Sequence, residues 1–168
     1  TVLFTTTYDE TADMIKLLEN LYIFRGLSDH DISRIEAIAE LESYSSGDLI
    51  FRQNDAADAF FVIQHGTVNI ELDEEGDTGG HIAVATLGTG SHFGEMGFLD
   101  NHPRSASAIA ASYSDILRIG YSAMKEVLES DSALSIHVYK QLARFMCSRL
   151  RLTTLDLKYE RSQNLGHL

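Results

Sequence analysis

Apolar residues recur at a helical spacing in the first part of the chain and predict two amphipathic helices. In residues 11–24 they return every three or four positions, and the stripe consists of Ala12, Ile15, Leu18 and Tyr22. Gly26 ends this predicted helix. Ser28, with Asp31 three positions later, resembles the N-cap and capping box of a second helix. The apolar face of that second helix consists of Ile32, Ile35, Ile38 and Ala39.

From Leu41 onward the pattern changes to short apolar runs separated by turn residues, which is typical of strands. The runs are 49–51, 60–63, 68–72, 82–87 and 116–119. The turn signals between them are Gly47-Asp48, Asn54-Asp55, His65-Gly66, the acidic stretch Asp73–Gly80 and Gly88–Gly90. Many short strands at this spacing predict a compact β-barrel or β-roll. We expect the acidic stretch to form a solvated hairpin tip.

The helical period returns at the end of the chain and predicts helices over residues 121–129 and 133–159. The second of these is long and carries an apolar seam at steps of three and four residues. The seam consists of Leu134, Val138, Leu142, Phe145, Leu152 and Leu155. A seam of this kind predicts packing against another surface.

Composition and charge narrow the class of protein. The chain has 168 residues, 44% of them hydrophobic, which fits one domain with a proper core. Its net charge of −12 argues against nucleic acid or an anionic membrane as a partner. The single cysteine, Cys147, predicts a reducing, cytoplasmic setting. No apolar run approaches the roughly 18 residues of a membrane span. The chain begins at Thr1, so we expect a segment of a longer protein.

The most informative stretch is FGEMGFLDNHPRSASA, residues 93–108. Backbone N–H groups in a tight glycine turn, here at Gly94 and Gly97, converge on an anion. Arg104 adds a fixed positive charge and a planar fork of donors that suits phosphate oxygens. Glu95 repels phosphate but accepts hydrogen bonds from hydroxyl groups. The stretch therefore predicts a pocket for a small anion that also carries hydroxyls.

These residues resemble the phosphate-binding cassette of the cyclic nucleotide-binding domain family, which includes the catabolite activators and the regulatory subunits of protein kinase A. The Phe-Gly-Glu, the short apolar helix and the Arg-x-Ala of that cassette match without a gap at residues 93–106. The run GDLIFRQNDAADAFFVIQHGTV resembles the same family. Asn54 departs from a frequent glycine there, but asparagine tolerates a positive φ. The resemblance covers about residues 20–155 and implies an α+β fold that is mainly β, an antiparallel, jelly-roll-like β-roll with flanking N-terminal helices and a long C-terminal helix.

The resemblance also implies a ligand and a set of contacts. Arg104 would pair with the cyclic phosphate and Glu95 would bind the ribose 2′-hydroxyl. The whole expected set is Phe93, Gly94, Glu95, Met96, Gly97, Arg104, Ser105 and Ala106. Thr153 and Thr154 would contact the base if about one helical turn is inserted upstream of them. Cyclic AMP is favoured over cyclic GMP, and Ser105 leaves that choice open because its hydroxyl suits the phosphate or a guanine amino group. In this family the last helix commonly makes a dimer or closes over the base, so a homodimer is expected as an alternative to packing on the roll.

Other chemistries have weaker support in the sequence. His65, His81, His92 and His102 lack the spacing of a metal site, so no metal and no cofactor besides the nucleotide is expected. No nucleophile elbow or other catalytic group is evident, so the chain is expected to be a regulatory module and not an enzyme. The alternative is a nucleotide-free roll that serves as a protein–protein assembly domain. The expected organisation is a linker at 1–10, a nucleotide-binding domain at 11–159, with the roll at about 41–120 and the C-terminal helices at about 121–159, and a tail at 160–168.

Overall fold

The structure is a computed structural model that describes the backbone of residues 7–73 and 81–165 and the side chains of residues 13–73 and 81–155. Two helices come first, α1 (Thr7–Asn20) and α2 (Asp29–Glu36). The predicted cap of α2 is confirmed, because the Ser28 hydroxyl accepts a hydrogen bond from the Asp31 N–H at 3.2 Å. The first helix begins and ends four residues earlier than predicted: residues 21–26 form turns instead of its last turn, and residues 7–10 belong to α1. Residues 1–6 lie outside the described residues.

Eight strands and one short helix form the middle of the chain. The strands are β1 (Ala39–Tyr44), β2 (Leu49–Phe51), β3 (Ala59–His65), β4 (Thr67–Asp73), β5 (His81–Gly88), β6 (His92–Phe93), β7 (Ser107–Ala110) and β8 (Ser114–Gly120). They make two antiparallel four-stranded sheets, in the orders β1-β8-β3-β6 and β2-β7-β4-β5. The predicted β-roll is confirmed. The expected hairpin tip at Asp73–Gly80 lies between the paired strands β4 and β5, and residues 74–80 lie outside the described residues.

Two apolar cores share the strands β3 and β8. Phe61, Ile63 and Ile116 face the space between the two sheets. Phe60 and Leu117, which point to the opposite side, pack against the helices. Because successive side chains of a strand alternate between faces, burial of both faces explains the continuous apolar run in β3.

Two helices follow the roll, α4 (Tyr121–Glu129) and α5 (Ser132–Leu165). The bounds of α4 agree with the prediction. In α5 the predicted seam is divided: Leu134, Val138 and Leu142 are buried in the helix-side core, whereas Leu152 and Leu155 are 62% and 60% exposed. The helix also continues to Leu165, into the segment expected to be a tail. Across the part of the chain that is described, no helix is both long and apolar enough to span a bilayer.

Candidate functional site

The segment that follows β6 turns sharply into a short helix, α3 (Met96–Asp100). Gly94 makes this turn possible, because its φ of +80° lies in the left-handed region. Glu95 occupies the N-cap position of α3, and Asn101 ends the helix with a φ of +57°. Asn54, in the turn before β3, has a φ of +70°, as its tolerance of positive φ predicted. The segment 93–106 is called the cassette below.

One cavity opens where the cassette meets β2, β4 and α5. Its volume is about 70 Å³, or about 480 Å³ with the solvent space at its mouth. All eight residues expected from the cassette line it, and the other lining residues are Phe51, Ala57, Ile70, Pro103 and Arg149. Phe93 and Ala106 are buried in its wall, whereas Met96 and Ser105 are exposed. The fold therefore collects the whole expected set around one space.

Arg104 lines this cavity, is buried, and contacts several neighbouring groups. Its Nη1 donates to the carbonyl oxygens of Ala59 at 2.7 Å and Gly94 at 3.2 Å, and its Nη2 contacts Oδ1 of Asp58 at 3.3 Å. The guanidinium carbon lies 4.1 Å from the centroid of the Phe51 ring, a cation–π contact. These contacts fix the orientation of the Arg104 guanidinium inside the roll.

Glu95 also lines this cavity and is almost completely buried, with 1% of its surface exposed. Burial raises the pKa of its carboxyl, and a backbone hydrogen bond and the charge of Arg149 oppose that effect. Arg149 reaches Glu95 from α5, with 3.4 Å between its Nη1 and Oε1 of Glu95. The helix at the end of the chain thus contacts the carboxylate of the cassette.

One atom of each charged residue has no hydrogen-bond partner among the described residues. Nε of Arg104 is a buried donor and Oε2 of Glu95 is a buried acceptor. Buried polar groups in folded proteins are nearly always paired, because an unpaired one costs about 1–3 kcal/mol. A ligand with an anionic acceptor and a hydroxyl donor has the complementary chemistry to this donor and acceptor.

Aromatic contacts join α5 to the cassette and to β6, the strand that leads into the cassette. The ring of His92, in β6, lies 4.2 Å from that of Phe145, and its Nε2 is buried without a partner among the described residues. Burial, with a smaller effect of Arg149, lowers the pKa of His92 to about 4, so the ring is neutral at pH 7. On the other side of the cassette, Phe98 of α3 stacks on Tyr139 of α5 at 5.9 Å. A displacement of the cassette would therefore change the packing of α5.

Tyr121, the first residue of α4, anchors the turn at Gly94. Its hydroxyl donates to the Gly94 carbonyl, and its ring lies 5.3 Å from Phe98. Burial raises the pKa of Tyr121 to about 12, so the hydroxyl keeps its proton at neutral pH. The Tyr121 hydroxyl therefore remains a hydrogen-bond donor to the Gly94 carbonyl at neutral pH.

Sequence reasoning missed two residues at the site and expected two others there. Asp58 and Arg149 carry no local motif, because they reach the cassette only through the fold. Thr153 and Thr154 do not line the cavity; their hydroxyls donate to the carbonyls of Arg149 and Leu150 in their own helix. Their contact with a base stays a prediction. Among the described side chains, those of residues 13–73 and 81–155, no group of three His, Cys, Asp or Glu is arranged to hold a metal.

The chain belongs to the cyclic nucleotide-binding domain family. The family profile described as "Cyclic nucleotide-binding domain" matches residues 41–131, more than half of the chain. This match, together with the fold, makes the chain a regulatory domain of the type found in cyclic nucleotide-dependent kinases and catabolite activators. The resemblance seen in residues 93–108 is thereby confirmed.

Similar proteins include a regulatory subunit of a cAMP-dependent protein kinase and a cGMP-dependent protein kinase. The chain is 32% identical over 111 residues to the cAMP-dependent protein kinase regulatory subunit of Mycosarcoma maydis, covering 66% of this chain and 21% of that protein. It is 33% identical over 99 residues to the cGMP-dependent protein kinase egl-4 of Caenorhabditis elegans, covering 59% and 13%. The chain thus spans about a quarter or less of the length of these kinase relatives.

A solved structure supports the same fold. The Thermus thermophilus catabolite activator protein matches with a TM-score of 0.71 and 28% identity, over 82% of this chain and 62% of that chain. A cyclic nucleotide-binding domain from Methylobacillus flagellatus matches with a TM-score of 0.73 over 84% of this chain and 79% of that chain. At 22% identity, the second likeness bears on the fold alone.

Proposed function

We propose that residues 11–159 bind a cyclic purine nucleotide, cyclic AMP in preference to cyclic GMP, and relay binding to an attached effector through α4 and α5. The observation that carries the proposal is the cavity with a buried arginine donor and a buried carboxylate acceptor, neither of them paired among the described residues. A cyclic phosphate beside a ribose hydroxyl supplies both missing partners. The cytoplasmic setting expected from Cys147 stays a prediction.

Each of the eight residues expected from the cassette has a role in this proposal. Arg104 binds a phosphate oxygen, and the backbone N–H groups of the cassette turn add donors to the same anion. Glu95 accepts the ribose 2′-hydroxyl. Ser105, which is exposed and lines the cavity, would donate to the phosphate or to the base. Phe93, Gly94, Met96, Gly97 and Ala106 shape the wall.

Arg149 is the link that makes a relay physically reasonable. It occupies the cavity and contacts the carboxylate that the ribose would need. A ribose hydroxyl that binds Glu95 competes with Arg149 for this carboxylate, so nucleotide binding favours an arrangement in which Arg149, and with it this part of α5, moves away. The nucleotide shifts α5 only to the extent that it binds the displaced arrangement more tightly.

The preference for cyclic AMP rests on the relatives. Those named above include a cAMP-dependent regulatory subunit and a catabolite activator, but also a cGMP-dependent kinase. Ser105 is compatible with either base. The preference is therefore the finer part of the proposal and is tested separately from nucleotide binding.

The test is calorimetric titration of the full chain with cyclic AMP, cyclic GMP and 5′-AMP. We expect both cyclic nucleotides to bind, cyclic AMP more tightly, and 5′-AMP to bind at least about tenfold more weakly because its open phosphate does not fit the cassette. A stronger response to cyclic GMP would reverse the preference but keep the site. No heat and no thermal shift with any of the three would favour the alternative, a nucleotide-free assembly domain.

A homodimer through α5 is the second part of the proposal. An exposed apolar stripe on α5 consists of Ile136 and Leu150, which are each 68% exposed. They lie two heptads apart on the same face of the helix, a spacing typical of a helix pair. No partner chain is needed to complete the cavity, so nucleotide binding and dimerisation are separable.

A further inference from the structure

The first part of α5, residues 132–155, differs from the rest of the molecule in its ratio of basic to acidic residues. Residues 132–155 hold four of the 13 basic residues of the chain and none of its 25 acidic ones. The four are Lys140, Arg144, Arg149 and Arg151. Arg149 points to the cassette, and the other three are exposed. In a chain with a net charge of −12, this segregation makes residues 132–155 of α5 a separate, basic electrostatic surface.

The three exposed bases line one groove. The groove lies between α5 and the turn after α1, has a volume of about 390 Å³, and is lined by Tyr22, Lys140, Ala143, Arg144, Cys147, Ser148 and Arg151. The Tyr22 ring forms one wall and lies 6.3 Å from the ring of Phe145. The α5 residues of the lining fall on one face because their spacing is three or four positions. The groove is separate from the nucleotide cavity, with which it shares no lining residue.

Within the described part of the chain, Lys140 and Arg144 of this groove form no ion pair with a carboxylate. The arginine–carboxylate ion pairs of that part involve Arg34, Arg104, Arg118 and Arg149. Among the described residues none of these pairs involves Lys140 or Arg144, and the Arg144 guanidinium donates there only to the side-chain oxygen of Gln141, at 3.4 Å. Like charges four residues apart on a helix destabilise it slightly. An anionic partner would remove this repulsion.

We propose that this groove is a docking surface for an acidic peptide segment of a partner protein. From Lys140 to Arg151 the charges extend over about 16 Å of helix axis, at 1.5 Å per residue. An extended peptide covers that length with about five residues and presents a side chain to the same face every second residue, about 7 Å apart. A single phosphate group would reach only part of the row. The concave shape and the acidic remainder of the molecule disfavour an anionic bilayer or a nucleic acid.

The probe for the test is a labelled octapeptide of alternating Glu and Ser, with alternating Gln and Ser as the neutral control. We expect the acidic peptide to bind the full chain, with an affinity that falls between 50 and 300 mM salt, on the order of the screening expected for exposed charges. The triple variant K140Q/R144Q/R151Q should weaken binding at least about fivefold. The matched variant K16Q/R52Q/K125Q, which loses the same charge elsewhere, should change it less than about twofold.

Several results would overturn the proposal. Equal weakening in the two triple variants would mean that net charge alone attracts the peptide. Equal binding of the neutral peptide, inorganic phosphate at the same affinity, or sedimentation with phosphatidylserine vesicles in preference to the peptide would each contradict an acidic-peptide site. Thermal unfolding verifies that the groove variant is folded; if it is not, R144Q alone must still weaken binding more than R52Q. The proposal does not rest on nucleotide binding.

Discussion

Gly94 is under two separate constraints at the residue scale. Its φ of +80° disfavours any side chain, and a Cβ there would lie 2.8 Å from Nη1 of Arg104. Gly47 shares only the first constraint, because its φ is +91° and a Cβ there would meet no other atom within 4 Å. A comparison of substitutions at Gly47 and Gly94 therefore separates the effect of backbone strain from that of a steric clash with Arg104.

Replacing each of them with alanine tests this distinction. We expect Gly47→Ala to lower the free energy of unfolding by about 1–2 kcal/mol, the cost of a left-handed residue. Gly94→Ala should cost about 1–3 kcal/mol more, because the methyl group displaces Arg104, and should also weaken nucleotide binding. Denaturant unfolding and calorimetry measure the two effects. Equal losses of stability with unchanged affinity would show that Gly94 does not position Arg104.

Sequence reasoning reached most of the site because the cassette is continuous in the chain. Glu95 and Arg104 are nine positions apart and carry a recognisable pattern, so their shared cavity was predictable. Asp58 and Arg149 were not, since 46 and 54 residues separate them from their partners Arg104 and Glu95. Spacing along a chain carries no information about such contacts. The same limit applies to Thr153 and Thr154, whose placement depended on how far α5 extends past the cavity.

At the scale of elements, the contact between β6 and α5 is sensitive to pH. The folded-state pKa of His92 is lowered from 6.5 to about 4, so folding favours the neutral ring. The resulting stability is complete above pH 6.5 and is lost as the pH falls towards 4. A shift of this size corresponds to a loss on the order of 3 kcal/mol.

His92→Phe tests this origin of the pH dependence. The phenyl ring keeps the contact with Phe145 but does not take up a proton, so the variant should lose most of the fall in stability between pH 6.5 and 4. His30→Phe is the control, because the His30 side chain is 81% exposed. Chemical unfolding measured across this range would contradict the account if both variants kept the wild-type slope.

The pair of Arg149 and Glu95 is the second contact between elements that can be tested. In Arg149→Ala the ribose hydroxyl no longer competes with an arginine for Glu95, so we expect nucleotide affinity to rise by about two- to fivefold, the value of a partly exposed ion pair. Hydrogen exchange in α5 near residue 149 should become faster. Arg151→Ala, which removes a neighbouring charge outside the cavity, should change neither quantity.

A fall in affinity in Arg149→Ala would instead make Arg149 a ligand contact and not a competitor.

Element bounds were easier to predict from the sequence than contacts between elements. The capping residues Ser28 and Asp31 located the start of α2. The two-residue strand β6 has too few positions to show a period, and the shift of α1 reflects a turn at residues 21–26 that Gly26 alone did not locate.

At the scale of the whole molecule, the exposed apolar stripe of α5 predicts a dimer. Charged substitutions at Ile136 and Leu150 should give a monomer without unfolding the domain, because both side chains are 68% exposed. Sedimentation velocity of the wild type and of the double variant I136K/L150K measures this directly. A wild type that stays monomeric at high concentration would leave α5 packed only on its own roll.

In the proposed function the buried guanidinium of Arg104 binds a cyclic phosphate. The most direct measurement is calorimetric titration of Arg104→Leu with cyclic AMP, beside the wild type and the exposed-surface variant Arg52→Leu, with thermal unfolding of all three. Removing a buried, charge-assisted partner of a phosphate is expected to cost about 2–5 kcal/mol, a loss of affinity of about 30-fold or more. We predict this loss in a folded Arg104→Leu and wild-type affinity in Arg52→Leu. Wild-type affinity in a folded Arg104→Leu would contradict the account.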